Sequence, residues 1–192
     1  KLIIKKVNVN KSRIGVITIL NKMNAKIKLK NKKLYKGEEI ADIYVKSNNN
    51  FKAINCSPKL NSSAIDEFLI IFLVAAKANG ISTFKNLSEL NNKESKRLDI
   101  SVRFLKIIGI KVLRKKNNLK IYGNPNLSLK GTYVVKKFLK DHRVFMMSTI
   151  AALTFGGNWK ISDKDSINTS FPIFLKILKN LGAKINWKKE KI

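Results

Sequence analysis

The segment Ile108-Gly109-Ile110-Lys111-Val112 decides the fold, because it joins a predicted helix to a predicted strand and its pattern occurs three times. It reads Met23-Asn24-Ala25-Lys26-Ile27 near the start of the chain and Leu181-Gly182-Ala183-Lys184-Ile185 near the end. The copies lie 85 and 73 residues apart. A recurrence at this spacing indicates an internal structural repeat.

Two strongly apolar segments, at 64–78 and 141–155, repeat at a similar distance. Asp66 and Asp141 lie 75 residues apart at their starts, and Gly80 and Gly156 lie 76 residues apart just beyond their ends. The unit is therefore about 75 residues long, with two helices and several strands. We expect one domain over 1–192, with a partial first unit at 1–60, a second at about 61–135 and a third at about 136–192.

Hydrophobic periodicity predicts the remaining elements. Helices are expected at 12–23, 94–108 and 172–181, and strands at 25–29, 43–46, 81–84, 110–113, 119–122, 158–161 and 183–187. The alternation of helices and strands predicts an α/β (α+β) fold.

The net charge of +28 comes from 40 Lys and Arg residues against 12 Asp and Glu residues. Only five of the basic residues are Arg, and the lysines are spread along the whole chain. This pattern favours an A/T-rich codon bias over a dedicated nucleic-acid interface, which would interleave aromatic platforms with the charges. A basic nucleic-acid-binding α/β module stays open as an alternative.

The residues that are scarce exclude several classes of protein. One cysteine, Cys56, and one histidine, His142, exclude an intrachain disulfide and a multi-histidine metal centre. The longest apolar run, 68–76, is too short to span a membrane, and no secretory segment is visible. We expect a cytoplasmic protein with no membrane partner. Since the first residue is not Met, we also expect a piece of a longer protein.

Two polar clusters at predicted helix starts each have a structural and a functional interpretation. Ser63 and Asp66 match a capping box, but Asp66 is also a carboxylate able to accept a substrate proton. Lys93 and Arg97 lie four residues apart, so they would share one face near the N-terminus of the predicted helix. They form either a solvated helix start capped by Asn91 or an anion site with Glu94 held among cations.

The third cluster, Asp141-His142-Arg143, contains the only histidine. Asp141 is either an N-cap with exposed neighbours or part of a site in which Arg143 donates to a phosphate or carboxylate. Asp66 and Asp141 begin equivalent helices, so we expect them to converge in space.

At these residues the sequence resembles the 5-enolpyruvylshikimate-3-phosphate synthases, also called 3-phosphoshikimate 1-carboxyvinyltransferases. Asp141-His142-Arg143 is identical to that family's Asp-His-Arg. Further motifs are similar and occur in the family's order over the whole chain: Asn10-Lys11-Ser12-Arg13-Ile14-Gly15, Ala64-Ile65-Asp66-Glu67, Lys93-Glu94-Ser95-Lys96-Arg97, Ser170-Phe171-Pro172 and Leu181-Gly182.

The resemblance implies a fold of two domains, each of three βαβαββ units, in an inside-out barrel with the active site in the cleft. This chain would be the C-terminal domain, with the N-terminal domain absent, and inactive alone. The implied reaction belongs to the shikimate pathway of aromatic amino-acid biosynthesis. It transfers the enolpyruvyl group of phosphoenolpyruvate to the 5-hydroxyl of shikimate 3-phosphate and releases phosphate. The resemblance implies no metal or organic cofactor, no specific nucleic acid, and a monomer when complete.

The resemblance also implies roles for individual residues. Asp66 would accept the hydroxyl proton and Glu94 would move a proton at the phosphoenolpyruvate methylene. Lys93 would contact shikimate 3-phosphate, and Arg97 and Arg143 would bind phosphoenolpyruvate. His142 and Asp141 would support that binding shell.

Three residues depart from the family pattern: Lys96 stands in place of Asp, Asn91 in place of a common Arg, and Lys11 in place of Pro. A sister family, the UDP-N-acetylglucosamine enolpyruvyl transferases, is a weaker match. It uses a loop cysteine and lacks the Lys-Glu-Ser and Asp-His-Arg pair.

Overall fold

A computed structural model describes residues 1–136 and 141–186. Its contacts divide the chain into two compact units, Lys1–Leu129 and Lys130–Ile192. The predicted repeat boundaries, and the assignment of the whole chain to one domain, stay predictions. Among the described residues, no helix is long and apolar enough to cross a membrane.

The first unit holds three helices and six complete strands. They are β1 (Leu2–Asn8), α1 (Gly15–Lys22), β2 (Lys26–Tyr35), β3 (Glu38–Lys46), α2 (Phe68–Lys77), β4 (Ile81–Phe84), α3 (Arg97–Ile107), β5 (Val112–Lys115) and β6 (Asn118–Tyr122). Two antiparallel sheets form, in the orders β1-β3-β2 and β4-β6-β5. Short 3₁₀ helices at Pro58–Leu60, Ser62–Ala64 and Ser88–Asn92 connect the longer elements.

β7 (Leu129–Val135) leads into the second unit. That unit continues with α4 (His142–Phe155), β8 (Gly156–Ile161), a 3₁₀ helix at Lys164–Ile167 and α5 (Phe174–Asn180). β7 pairs with β8. The core of this unit gathers Phe145, Ile167, Phe174 and Leu175. The order α2, β4, 3₁₀ helix, α3 thus returns as α4, β8, 3₁₀ helix, α5.

The turn that ends the helix is the same in all three copies of the repeated segment. Asn24, Gly109 and Gly182 adopt φ angles of 71°, 77° and 95°, in the left-handed region. The next residue's N–H then donates to a carbonyl five residues back in each copy: Ala25 to Leu20, Ile110 to Leu105 and Ala183 to Leu178. These are Schellman motifs, which end a helix and redirect the chain. The three copies of the sequence pattern therefore end their helices with the same hydrogen bonds, and the division into repeat units stays a prediction.

Helix α2 forms the core of the first unit. Its buried residues lie on every side of the helix and not on a single stripe: Phe68, Leu69, Ile71, Phe72, Leu73, Ala75 and Ala76. The rings of Phe68 and Phe72 both pack against Phe84 of β4, with centroids 6.0 and 5.1 Å away. A helix that is apolar all round must be enclosed by other elements, and this one places its N-terminal end beside the candidate site.

Several predicted elements need correction. The helix predicted at 94–108 begins only at Arg97, so Lys93 and Glu94 precede it. The helix predicted at 64–78 begins at Phe68, after a 3₁₀ turn. The described part of the last predicted strand, 183–186, is not a strand, and Trp187 lies outside the described residues. β1 and β7 were missed because most of their residues are exposed and do not alternate.

Candidate active site

The guanidinium group of Arg97 is the centre of the candidate site. Arg97 is the first residue of α3, and its side chain is 1% exposed. Its Nη1 lies 3.2 Å from Oδ1 of Asp66, and its Nη2 donates to Oε2 of Glu94. A buried cation is stable only when it is paired and hydrogen-bonded, and two carboxylates meet that need here.

Lys93 adds a second cation to this group. Its Nζ lies 3.6 Å from the same Oδ1 of Asp66. The side chains of Lys93, Asp66 and Glu94 are 31%, 40% and 53% exposed. We call Asp66, Lys93, Glu94 and Arg97 the Asp66 cluster. It combines a buried guanidinium with three groups that solvent, and hence a solute, can reach.

Asp66 lies in a turn just before α2, on a segment packed tightly against α1. A Cβ placed on Gly15, the first residue of α1, would lie 2.3 Å from Oγ of Ser63 and 2.8 Å from its carbonyl carbon. Only glycine permits this approach, which sets the position of the turn that carries Asp66. Gly15 ends the Asn10–Gly15 motif, so this motif has a structural role beside the site.

The capping box predicted at this turn does not form. Ser63 donates its hydroxyl to the carbonyl of Leu60, at 3.1 Å, and no side chain caps α2. The carboxylate of Asp66 instead pairs with Arg97 and Lys93. The position of Asp66 agrees with its other interpretation, a carboxylate beside a buried helix.

Lys93 and Glu94 lie on a non-helical segment, so the expected placement of Lys93 and Arg97 on one helical face is wrong. The predicted cap by Asn91 does form, but the N–H groups that it accepts lie further along the chain than expected. Oδ1 of Asn91 accepts from the backbone N–H groups of Leu98 and Asp99, at 3.1 and 3.4 Å. The segment 93–96 is therefore a loop between Asn91 and α3, the helix that the Asn91 side chain caps.

Sequence reasoning missed one pair of residues next to this loop. Asp99 accepts from Nδ2 of Asn91 at 3.0 Å and pairs with Arg114 of β5. Burial raises the pKa of the Asp99 carboxyl, but hydrogen bonds from Arg114 and Asn91 outweigh that effect and lower its pKa below the usual value. The sequence did contain one signal for this pair, because Arg114 is one of only five arginines.

The second unit contains Asp141, His142 and Arg143, and Asp141 is the N-cap of α4. Its Oδ1 accepts from the N–H groups of Arg143 and Val144, at 2.9 and 3.4 Å, and the residue is fully buried. The structural interpretation of Asp141 is therefore confirmed. His142 and Arg143 lie half-buried in the first helical turn, not fully exposed. The expected convergence of Asp66 with Asp141 stays a prediction.

Within residues 1–136 and 141–186, no three His, Cys, Asp or Glu side chains come together in a way that could hold a metal ion. The chemistry that the Asp66 cluster offers is anion binding by Arg97 and Lys93 and proton transfer by Asp66 and Glu94.

Comparison with known proteins identifies the family. The family model for EPSP synthase (3-phosphoshikimate 1-carboxyvinyltransferase) matches residues 1–178. The chain belongs to the EPSP synthase family. A 3-phosphoshikimate 1-carboxyvinyltransferase of Zymomonas mobilis is 39% identical over 184 residues, which are 95% of this chain and 40% of that relative. The chain thus spans about 40% of the length of such EPSP synthase relatives.

Solved structures agree with this assignment. An EPSP synthase from Acinetobacter baumannii superposes with a TM-score of 0.88 at 31% identity, covering 96% of this chain and 42% of that one. The enolpyruvyl transferase NikO from Streptomyces tendae superposes with a TM-score of 0.69 at 15% identity, covering 96% and 39%, and shows the fold alone. The predicted α/β enolpyruvyl transferase fold is confirmed, and the two alternative functions are not favoured.

Proposed function

We propose that this protein transfers the enolpyruvyl group of phosphoenolpyruvate to the 5-hydroxyl of shikimate 3-phosphate, and that this chain supplies the Asp66 cluster. The observation that carries the proposal is the meeting of Asp66 and Glu94 at the buried guanidinium of Arg97, with Lys93 beside them. The name of the relatives, 3-phosphoshikimate 1-carboxyvinyltransferase, supports the same reaction.

Asp66 and Glu94 divide the proton transfers. Asp66 accepts the proton of the 5-hydroxyl as that oxygen bonds to the central carbon of phosphoenolpyruvate. Protonated Glu94 delivers its proton to the methylene carbon and takes one back when the C–O bond to phosphate breaks. The hydroxyl proton leaves Asp66 with the phosphate, so the protons balance. Carboxylates positioned within reach of a reacting atom are suited to this work.

Arg97 and Lys93 hold the anionic substrates. The charges of the Asp66 cluster cancel, with two carboxylates against two cations. An incoming phosphate or carboxylate that accepts from Arg97 competes with Asp66 and Glu94 for the same N–H groups. Substrate binding therefore weakens the ion pairs of Asp66 and Glu94 with Arg97 at the place where the protons are transferred.

The proposal also includes Arg143, His142 and Asp141 of the second unit. Arg143, in the first turn of α4, binds phosphoenolpyruvate through its forked guanidinium, and His142 and Asp141 support its position. We infer that residues outside this chain complete the cleft, since the relatives are more than twice as long as the part matched. The complete enzyme acts as a monomer in the cytoplasm and needs no metal or organic cofactor.

The test follows phosphate release from phosphoenolpyruvate by the protein expressed from its complete reading frame. Shikimate 3-phosphate is the acceptor, and UDP-N-acetylglucosamine is the control acceptor. We expect release only with shikimate 3-phosphate, and a fall of at least a hundredfold in Asp66→Asn, the range for loss of a general base. Release with UDP-N-acetylglucosamine alone, or with neither acceptor from folded protein, contradicts the proposal.

A further inference from the structure

Asn91 closes the loop that carries two members of the Asp66 cluster. Its Oδ1 accepts from the N–H groups of Leu98 and Asp99, at 3.1 and 3.4 Å. Lys93 and Glu94 lie between the two ends of this link. Lys96, the residue at the helix boundary, provides no side-chain cap of its own. One side chain thus ties the start of the loop to the first turn of α3.

The orientation of the Asn91 amide is fixed from its other side. Its Nδ2 donates to Oδ1 of Asp99 at 3.0 Å, and that carboxylate is held by Arg114 of β5. The oxygen must face the helix N–H groups and the nitrogen must face the carboxylate, because an amide offers one acceptor and two donors. If the amide were reversed, its oxygen would face Oδ1 of Asp99 and its nitrogen would face the N–H groups of Leu98 and Asp99.

We propose that Asn91 is a positioning residue that sets Lys93 and Glu94 against Arg97 and Asp66, an inference that rests on the proposed function. In the described structure its amide hydrogen-bonds to Leu98 and Asp99 and to no member of the Asp66 cluster, so it acts through the loop. Arg97 itself is fixed by burial at the helix start, whereas the exposed Glu94 side chain depends on the path of its backbone. Loss of the link therefore moves the proton-transfer group relative to the substrate-binding guanidinium.

The cap requires an acceptor at position 91, which Asn provides and Arg would not. An Arg side chain could not accept the N–H groups of Leu98 and Asp99, because guanidinium carries only donors. Here an amide caps the helix, and the Asp99–Arg114 pair holds the amide.

The experiment compares Asn91→Ala with Asn92→Ala, whose residue is the exposed neighbour, in protein expressed from the complete reading frame. We expect kcat for phosphate release to fall about 10- to 100-fold in Asn91→Ala, because small misplacements of reacting groups are that costly. In Asn92→Ala it should stay within twofold. Assays run well below the unfolding temperature, so lost stability alone leaves kcat unchanged. Hydrogen exchange at the amides of 92–99 should quicken only in Asn91→Ala.

A side-chain exchange completes the test. In Asn91→Asp two carboxylates face each other, and kcat should fall as in Asn91→Ala. Adding Asp99→Asn restores a donor and an acceptor to the pair, and most of the lost kcat should return. Equal kcat in the two alanine variants, or a folded double variant without rescue, overturns the positioning role. An inactive wild-type protein instead overturns the proposed function, and the inference with it.

Discussion

Asp66 and Arg97 lie 31 residues apart along the chain, yet Oδ1 of one and Nη1 of the other are 3.2 Å apart. This ion pair connects the turn before α2 to the first residue of α3. It brings together the two motifs of the first unit that the family resemblance marks as catalytic. Because the guanidinium is buried and each of its Nη atoms faces a carboxylate, the pair should support both stability and chemistry.

Replacing Arg97 tests that double role. Arg97→Met leaves Asp66 and Glu94 facing each other without a buried cation, and we expect a loss of about 2–3 kcal/mol in the free energy of unfolding, as for hydrogen bonds to charged groups. Arg97→Lys should recover part of this loss, because an ammonium cannot serve two carboxylates as a planar fork does.

The measurement for these variants is urea unfolding. The matched control is Arg103→Met on the same helix, since Arg103 is exposed. Its change should stay within about 0.5 kcal/mol, as for ordinary surface substitutions. A loss in Arg103→Met equal to that in Arg97→Met would show that the ion pairs of Arg97 contribute nothing specific.

Gly123 is a position where the backbone leaves no room for a side chain. A Cβ there would lie 2.0 Å from the carbonyl oxygen of Ala78 and 2.6 Å from that of Ala75, at the end of α2. Gly123→Ala should cost at least about 3 kcal/mol, the upper range for overpacking, because backbone atoms cannot turn aside. In Gly131→Ala the nearest atoms lie 3.6 Å away, so its unfolding midpoint in urea should stay near wild type.

The recurring helix end could be predicted from sequence because it rests on local chemistry. Asn24, Gly109 and Gly182 are residues that adopt positive φ at low cost, and an apolar residue precedes each of them. The apolar character of α2 likewise follows from its own residues. Such signals need no knowledge of tertiary structure.

The details of the site depend on distant contacts and could not be predicted in the same way. Helix α3 begins at Arg97 and not at Glu94, because the cap of its first turn comes from Asn91 through a loop. Asp66 does not form the expected capping box, because Lys93 and Arg97 from another segment pair with its carboxylate. Both outcomes were decided by partners that no local periodicity reveals.

The lowered pKa of Asp99 predicts a dependence of stability on acid. A carboxyl with a lower pKa in the folded state adds stability above its unfolded pKa of about 3.9, and this is lost as pH falls through the folded pKa. Wild-type protein should therefore be more stable than Asp99→Asn at pH 6, and the difference should shrink below pH 4 or so. Urea unfolding of both proteins from pH 6 to pH 2 measures it. A difference that stays constant over this range would contradict the assignment.

Asp141 allows a capping role to be separated from a charged role. Asp141→Ala removes the acceptor for the N–H groups of Arg143 and Val144, and it should lower the free energy of unfolding by about 1–2 kcal/mol, the usual cost of a lost N-cap. Asp141→Asn keeps an oxygen acceptor and should retain most of that stability. If Asp141 also supports Arg143 through its charge, phosphate release should fall in Asp141→Asn although the helix stays capped. Full activity in a stable Asp141→Asn protein would limit Asp141 to capping.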